Sequence, residues 1–423
     1  MLQRALEWNA LLRDRMLPYW HNTTVNSRGG FKVYDPGDRS WRAQIRSMIN
    51  GGNHRAQNES LRGLVSQARL LWVFSRAHRQ GYSTPEHNYL ERAAHGYSYL
   101  IETMLDPEYG GFYWKTDVNR GVIEPHKIFY GHSMAIYGLV EYHRASNLSE
   151  PLEYACSVYE TVLQKFRDKL HGGWIEHCER DFTPLTCTGE RLPGMPDIVG
   201  FKSGDALLHW MEAVTELYAA VKDASMQGSL SEAIELLCTK FYPSNVSESC
   251  EYRFGDWKPV GNDELSGVSH GHMIEVAWLR LHAQHALAIP LDWDHFQSLL
   301  RHSLRYGFDR ERGGFYFRGK PHERACDTTK FWWVQAEGLS ALTDAVAHFD
   351  SDEYNGPLTK LVDWILNYQI RSEDGVWIAS TDAEGRPQNV KKAGEWKAAY
   401  HEVRAITKLV QTFAPQSQYD RCQ

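Results

Sequence analysis

Apolar residues recur three and four positions apart in twelve stretches of the chain, roughly 2–20, 58–80, 85–104, 127–146, 150–170, 202–222, 229–242, 270–287, 293–306, 330–348, 353–370 and 395–414. That period puts the apolar side chains of each stretch on one face of an α-helix. Between the helices lie only short strand-like turns, which excludes a parallel α/β sheet. A glycine–aromatic signature punctuates the pattern: Gly29-Gly30-Phe31, Gly110-Gly111-Phe112-Tyr113-Trp114, Gly172-Gly173-Trp174, Gly313-Gly314-Phe315-Tyr316-Phe317 and Gly375-Val376-Trp377. Phe254-Gly255-Asp256-Trp257 stands where a sixth copy is due. From Gly30 to Gly111, Gly173, Gly255, Gly314 and Gly375 the steps are 81, 62, 82, 59 and 61 residues.

Six similar units of two helices each bury their apolar faces on one another, and closing the ring removes the exposed ends of an open array. The expected fold is all-α, an (α/α)6 barrel of six helical hairpins with short β-hairpin-like turns, in one domain over residues 1–423. Helices starting near 58, 127, 202, 270, 330 and 395 follow longer connections and carry polar residues on otherwise apolar faces. Such residues need partners or a cavity, so these six are assigned to the inner ring. The glycine turns are expected opposite those connections, with Phe112, Trp114, Trp174, Phe315 and Trp377 packing the rim.

Composition narrows the function. The 423 residues carry 46 Lys+Arg against 53 Asp+Glu, which argues against nucleic acid or an anionic membrane as partner. No run approaches the ~18 apolar residues of a membrane span, and the first twenty residues lack the apolar core of a signal peptide. The seven cysteines, Cys156, Cys178, Cys187, Cys238, Cys250, Cys326 and Cys422, form no Cys-x-x-Cys pair. Neither a zinc site nor a disulfide framework is indicated, and a reduced, cytoplasmic protein is expected. The 15 Trp and 22 Tyr suit carbohydrate handling, and equally a large core with amphipathic aromatics at its edge.

Candidate chemistry falls on the inner helices. Arg69 is either a donor into the ring or a surface arginine with a packed stem. Tyr130 and His132 open the second inner helix, where a locally bonded tyrosine is as natural as a ligand contact. Asp205, His209 and Glu212 share one face of the third, a spacing open to a metal site or to a hydrogen-bonded histidine. On the fourth, His272 and Glu275 are three apart, so the carboxylate can orient the imidazole; Trp278, six residues beyond His272, can face the same cavity. Trp333 and Glu337 set a stacking platform beside a carboxylate on the fifth. His401 lies on the sixth, in Trp396-Lys397-Ala398-Ala399-Tyr400-His401-Glu402-Val403-Arg404.

Four segments carry a resemblance: Ala68-Arg69-Leu70-Leu71-Trp72, Gly271-His272-Met273-Ile274-Glu275, Trp332-Trp333-Val334-Gln335-Ala336-Glu337, and the run from Trp396 to Arg404. Across essentially the whole chain the sequence resembles the N-acylglucosamine 2-epimerase family, which includes cellobiose 2-epimerases, mannose 2-epimerases and isomerases of the mannose type. The resemblance implies an (α/α)6 barrel and a sugar 2-epimerase acting at C2 of a mono- or disaccharide aldose through an enediolate, without metal or other cofactor. It implies His272 and His401 as the catalytic acid/base pair, His209 as an auxiliary histidine, and Arg69, Tyr130, Glu275, Trp278, Trp333 and Glu337 as substrate-binding residues. The chain departs from it at Asp205, where cellobiose epimerases usually have Asn, and between Arg253 and Val268. Alternatives are an aldose–ketose isomerase using the same residues, or an inverting glycoside hydrolase using Asp205, Glu275 and Glu337. A monomer or homodimer is expected.

Overall fold

The structure is a computed structural model that describes residues 1–24, 29–33, 60–185, 189, 191–192, 195–261, 265, 267–370 and 373–414. In chain order its helices are α1 (Leu2–Leu11), α2 (Leu64–Arg79), α3 (Tyr89–Tyr99), α4 (Phe129–Ser146), α5 (Glu150–Thr161) and α6 (Gly204–Val221). They continue with α7 (Ala224–Leu236), α8 (His270–Ala286), α9 (Trp293–Tyr306), α10 (Trp332–Phe349), α11 (Asp352–Trp364) and α12 (Tyr400–Phe413). Helix α1 runs on through a π-helical turn, Leu12–Met16, into Leu17–Thr23.

Each even-numbered helix packs on the next, and α12 packs on α2, so the six close a ring; the odd-numbered helices lie outside. The fold is an (α/α)6 barrel. The sixth hairpin is made by the two ends of the chain, with α1 against α12, and Trp8 meets Trp377 edge-on at 5.8 Å. Among the described residues no helix is long and apolar enough to cross a membrane. Cys156, Cys178, Cys238, Cys250 and Cys326 are free thiols; Cys187 and Cys422 lie outside the described residues.

The polar positions of the inner helices have a local purpose that periodicity alone does not reveal. Gln67 Oε1 accepts the Phe31 N–H at 2.6 Å, His132 Nε2 accepts that of Phe112 at 3.0 Å, and Gln335 Oε1 accepts that of Phe315 at 2.7 Å. Each of these three inner helices, α2, α4 and α10, thereby clamps the aromatic of a glycine turn. His132 is a satisfied core histidine, its pKa pushed by burial down to about 3.

The turns themselves follow a common plan. Asp106, Asp168 and Asp309 each accept backbone N–H groups two and three residues ahead, an Asx turn. The glycines then adopt φ near +60 to +85°, as in Gly111 (63°) and Gly314 (82°). A Cβ on Gly111 would lie 2.5 Å from His132 Nε2, so this glycine is required for space as well as for its dihedral. A lysine ahead of the next inner helix closes the motif on the far side: Lys127 on Asp106 at 2.9 Å, Lys202 on Asp168 at 2.8 Å, Lys330 on Asp309 at 2.9 Å. Both partners of the last pair are buried. Replacing Lys330 with methionine leaves Asp309 buried without its cation and is expected to cost about 3–5 kcal/mol, measured by urea unfolding.

Two expectations are corrected. Phe254-Gly255-Asp256-Trp257 is not a sixth copy of the glycine turn. The equivalent turn spans Tyr242–Cys250, where Cys250 N–H bonds Phe241 O at 2.9 Å as Tyr113 N–H bonds Met104 O. A short 3-10 turn, Val246–Glu248, reverses the chain there without glycine. Phe254–Trp257 is instead a hairpin tip, and Trp257 lies in the space left by the missing side chain of Gly173. Nor do the glycine turns sit opposite the long connections: they begin those connections, at the same end of the ring. Their aromatics are buried there, as expected for rim packing.

Five small antiparallel sheets cap that end among the described residues. Strands Leu61–Gly63, Lys127–Ile128, Phe201–Ser203, Val268–Ser269 and Lys330–Phe331 lead directly into α2, α4, α6, α8 and α10. The first helical N–H of each bonds the neighbouring hairpin, for example Phe129 to Glu176 O at 3.0 Å and His270 to Phe317 O at 3.0 Å. These bonds fix the height and rotation at which each inner helix presents its first two turns.

Candidate active site

Those first turns surround a cavity of about 200 Å³ on the barrel axis. Its wall is built from Arg69 (α2), Tyr130 (α4), Asp205 and His209 (α6), His272 and Glu275 (α8), Trp332 and Trp333 (α10), and His401 (α12), with Trp396 from the connection before α12. Trp396 and Lys397 were expected on the sixth helix; Ala399 takes φ 58° and α12 starts at Tyr400. That break is what lets the indole lie over the cavity.

Every ionisable wall residue is held by a partner behind it. Arg69 donates from Nη1 to Trp396 O and from Nη2 to the Tyr130 hydroxyl, both at 2.7 Å, and its Nε–H is buried without a partner. The His272 ring stacks on Trp333 at 4.8 Å. Its Nδ1 meets Glu251 Oε2 at 2.6 Å and its Nε2 lies 3.6 Å from Asp205 Oδ1. His209 sits between Asp205 Oδ1 at 3.3 Å and Glu212 Oε2 at 3.0 Å. His401 Nδ1 meets Glu337 Oε1 at 2.7 Å, which turns Nε2 away from the carboxylate. Beneath them Arg404 Nη2 reaches Glu275 at 2.5 Å and Glu337 at 2.7 Å, while Nη1 bonds Glu212 and the Tyr400 hydroxyl.

This arrangement drives the two candidate catalytic histidines apart. At His272 burial opposes the charged form, but Asp205 and Glu251 outweigh it and raise the pKa to about 10. At His401 burial is reinforced by the charges of Arg69 and Arg404, and the pKa falls well below the usual imidazole value. One ring is an imidazolium and the other a free base at neutral pH, the division of labour that an acid/base pair needs. His209, raised to about 9, is a second cation, and Asp205 is held well below the usual carboxylate range against its own burial. Replacing Asp205 with asparagine removes the largest factor raising the His272 pKa. The alkaline limb of kcat/KM is then expected to move down from near pH 10, as a pH–rate profile of the variant would show.

Seven of the nine sequence-predicted residues meet in the cavity: His272, His401, Arg69, Tyr130, His209, Glu275 and Trp333. Two do not. Trp278 lies at the far end of the ring, in a second cavity of about 240 Å³ with Trp72, Arg76 and Lys408, and its indole N–H supports Glu337 at 3.0 Å. Six residues carry it almost two turns down α8, below the cavity floor. Glu337 stands behind His401 rather than on the wall. The expected His272–Glu275 pair is also not formed: Glu275 points to Arg404, and Glu251 orients His272 instead. Glu251 precedes a strand in a segment with no helical period, so nothing local marked it. Asp205, His209 and Glu212 form a chain rather than a converging set. Glu275, Glu337 and His401 do offer ligand atoms within 4.8 Å of one another, but the Arg404 guanidinium already bridges the two carboxylates.

The profile of the N-acylglucosamine 2-epimerase (GlcNAc 2-epimerase) family matches residues 50–405. The chain belongs to this family. With it the protein is an enzyme of the isomerase class. A cellobiose 2-epimerase from Dictyoglomus turgidum is 26% identical over 403 residues, covering 94% of this chain and 96% of the relative. A D-mannose isomerase from Marinomonas mediterranea is 21% identical over 413 residues, covering 94% and 95%. Among solved structures, the cellobiose 2-epimerase of Spirochaeta thermophila superposes with a TM-score of 0.81 at 26% identity, covering 97% of this chain and 96% of that one. For this member of the family, the cavity is thus the natural place to look for sugar chemistry.

Proposed function

We propose that the protein, as one catalytic domain, epimerises C2 of a reducing-end aldose such as mannose, glucose or cellobiose through an enediolate. The observation that carries this is a cavity lined by two histidines and the Arg69 guanidinium, with His272 held by two carboxylates, which raise its pKa, and His401 lowered by burial and two arginines. The C2 proton of an open-chain aldose is acidic because C1 is a carbonyl. His401 Nε2 takes that proton, and the electron pair moves through C1 to its oxygen. Arg69 donates to the oxyanion that develops there. His272 then delivers its Nε2 proton to the opposite face of C2, which inverts the centre. Trp332, Trp333 and Trp396 offer flat apolar faces to the sugar ring.

An aldose–ketose isomerase is the second reading, favoured by the similarity to a D-mannose isomerase. It needs the same enediolate, with the proton returned to C1. Inverting hydrolysis requires two carboxyl groups about 6.5–9.5 Å apart, one of them a free acid; Glu275 and Glu337 are instead tied to a single guanidinium. The test is to incubate the enzyme with mannose, glucose, cellobiose and N-acetylmannosamine and identify products by NMR. A 2-epimer is expected, a ketose points to the second reading, and monosaccharide released from a blocked glycoside overturns both.

A further inference from the structure

Glu176 and Asp197 are acids that the proposed reaction does not use, and a proton count makes them unusual. Ser203, the residue that caps α6, contacts both: its Oγ lies 3.1 Å from Glu176 Oε2 and 3.0 Å from Asp197 Oδ2. The same oxygen accepts the Ala206 N–H at 3.0 Å. A serine hydroxyl has one proton and two lone pairs. Its proton serves one of the two carboxyl groups, and Ala206 takes one lone pair. The remaining contact sets a lone pair against a carboxylate oxygen unless that carboxyl carries a proton of its own and donates it. One proton held by the Glu176–Asp197 pair gives both contacts a full hydrogen bond.

The surroundings agree. Glu176 is 6% exposed, and neither acid has a lysine or arginine ion-pair partner among the described residues. Of the groups that face them, Lys202 is committed to Asp168, His177 to Pro196 O and His272 to Glu251. Tyr252, itself next to Arg191, donates to Asp197 Oδ1 at 3.1 Å, and Asp205 adds negative charge. Burial and Asp205 push Asp197 up to about 7; burial and Asp197 push Glu176 up as well. Asp197 also holds a left-handed backbone, φ 58°, which a non-glycine residue keeps only when its surroundings impose it.

Three site-bearing segments meet at this pair. Glu176 O holds Phe129 N–H beside Tyr130. Its Oε1 accepts the Ser203 N–H at 2.5 Å, two residues before Asp205. Tyr252 follows Glu251, the partner of His272. We propose that Glu176 and Asp197 share one proton through Ser203 and act as positioning residues that hold Asp205 and Glu251 in place around His272. Loss of the proton places an added negative charge beside Asp205, and repulsion lifts the Asp197 segment from Ser203.

Only the kinetic arm of the test rests on the proposed reaction. In infrared difference spectra at neutral pH, wild type minus Glu176→Gln and wild type minus Asp197→Asn should each show the C=O stretch of a protonated carboxyl. Stability supplies a second arm. An acid whose folded pKa is raised adds stability below its unfolded pKa and loses it as pH climbs through the folded value. The Tm of wild type should thus fall as pH rises from about 4 to about 7 and level off above that, and Glu176→Gln should flatten that slope. Kinetically, Glu176→Leu should lower kcat/KM by about 10–100-fold through misplacement, with Gln recovering most of it. Absence of the carboxyl band from wild type, or an unchanged pH slope in Glu176→Gln, overturns the shared proton whatever sugar the enzyme turns over.

Discussion

Replacing His401 with asparagine is expected to lower kcat/KM for epimerisation by about 10²–10⁴-fold, the usual contribution of a general base. Asparagine is smaller than imidazole but keeps a donor for Glu337, so the buried carboxylate retains a partner and the chain still folds. What it lacks is a lone pair on nitrogen with an affinity for protons. The loss should fall on kcat, because Arg69, Tyr130 and the tryptophans proposed to contact substrate are untouched. Exchange of the C2 hydrogen with solvent, followed by NMR, should fall in parallel. A variant that loses less than tenfold assigns the base elsewhere.

The second large effect is on stability. Arg404 is 7% exposed and bonds Glu212, Glu275 and Glu337 together, so Arg404→Met removes the guanidinium that three buried carboxylates share. Breaking a buried ion pair from one side costs about 3–5 kcal/mol, and methionine fills only the stem's volume. The loss carries a pH sign. In wild type the Glu212 pKa is depressed to about 2, because Arg404 and His209 outweigh burial; that contribution is present above the unfolded pKa and fades as pH falls through the folded one. Burial already raises Glu275 and Glu337 against the pull of Arg404; without the guanidinium all three acids rise further, so the variant is penalised more as pH rises. Denaturant unfolding should therefore show a wide gap between the proteins at neutral pH and a narrower one near pH 4. An equal gap at both pH values contradicts the electrostatic origin.

The ring was legible because helical periodicity and glycine spacing are properties of consecutive residues, and both survive folding unchanged. The inner helices were recognisable from polar residues on apolar faces, although Gln67, His132 and Gln335 turn out to clamp turns rather than face the cavity. Sequence spacing brought His272, Arg69 and His209 to the cavity because each lies within the first two turns of a helix whose start is set by a strand, and His401 because it lies in the first turn of α12, whose start is set by the break at Ala399. It failed where depth along the axis matters. Trp278 and Glu337 share faces with cavity residues but sit a turn or more lower, and periodicity reports the face, not the height. Glu251, which orients His272, and the Glu176–Ser203–Asp197 group come from connections between helices. Their partners are set by long-range hairpin pairing, such as Phe201 with Phe254, which leaves no local mark.

Transfer of solvent hydrogen to C2 tests the two-histidine mechanism most directly. When wild-type enzyme converts an aldose in D2O, the proton taken by His401 is not the one delivered by His272. The product epimer should carry deuterium at C2 in the first turnover, read by NMR on mannose, glucose and cellobiose. A product epimer that keeps protium at C2 contradicts delivery by a second histidine, and with it the separate roles given to His401 and His272.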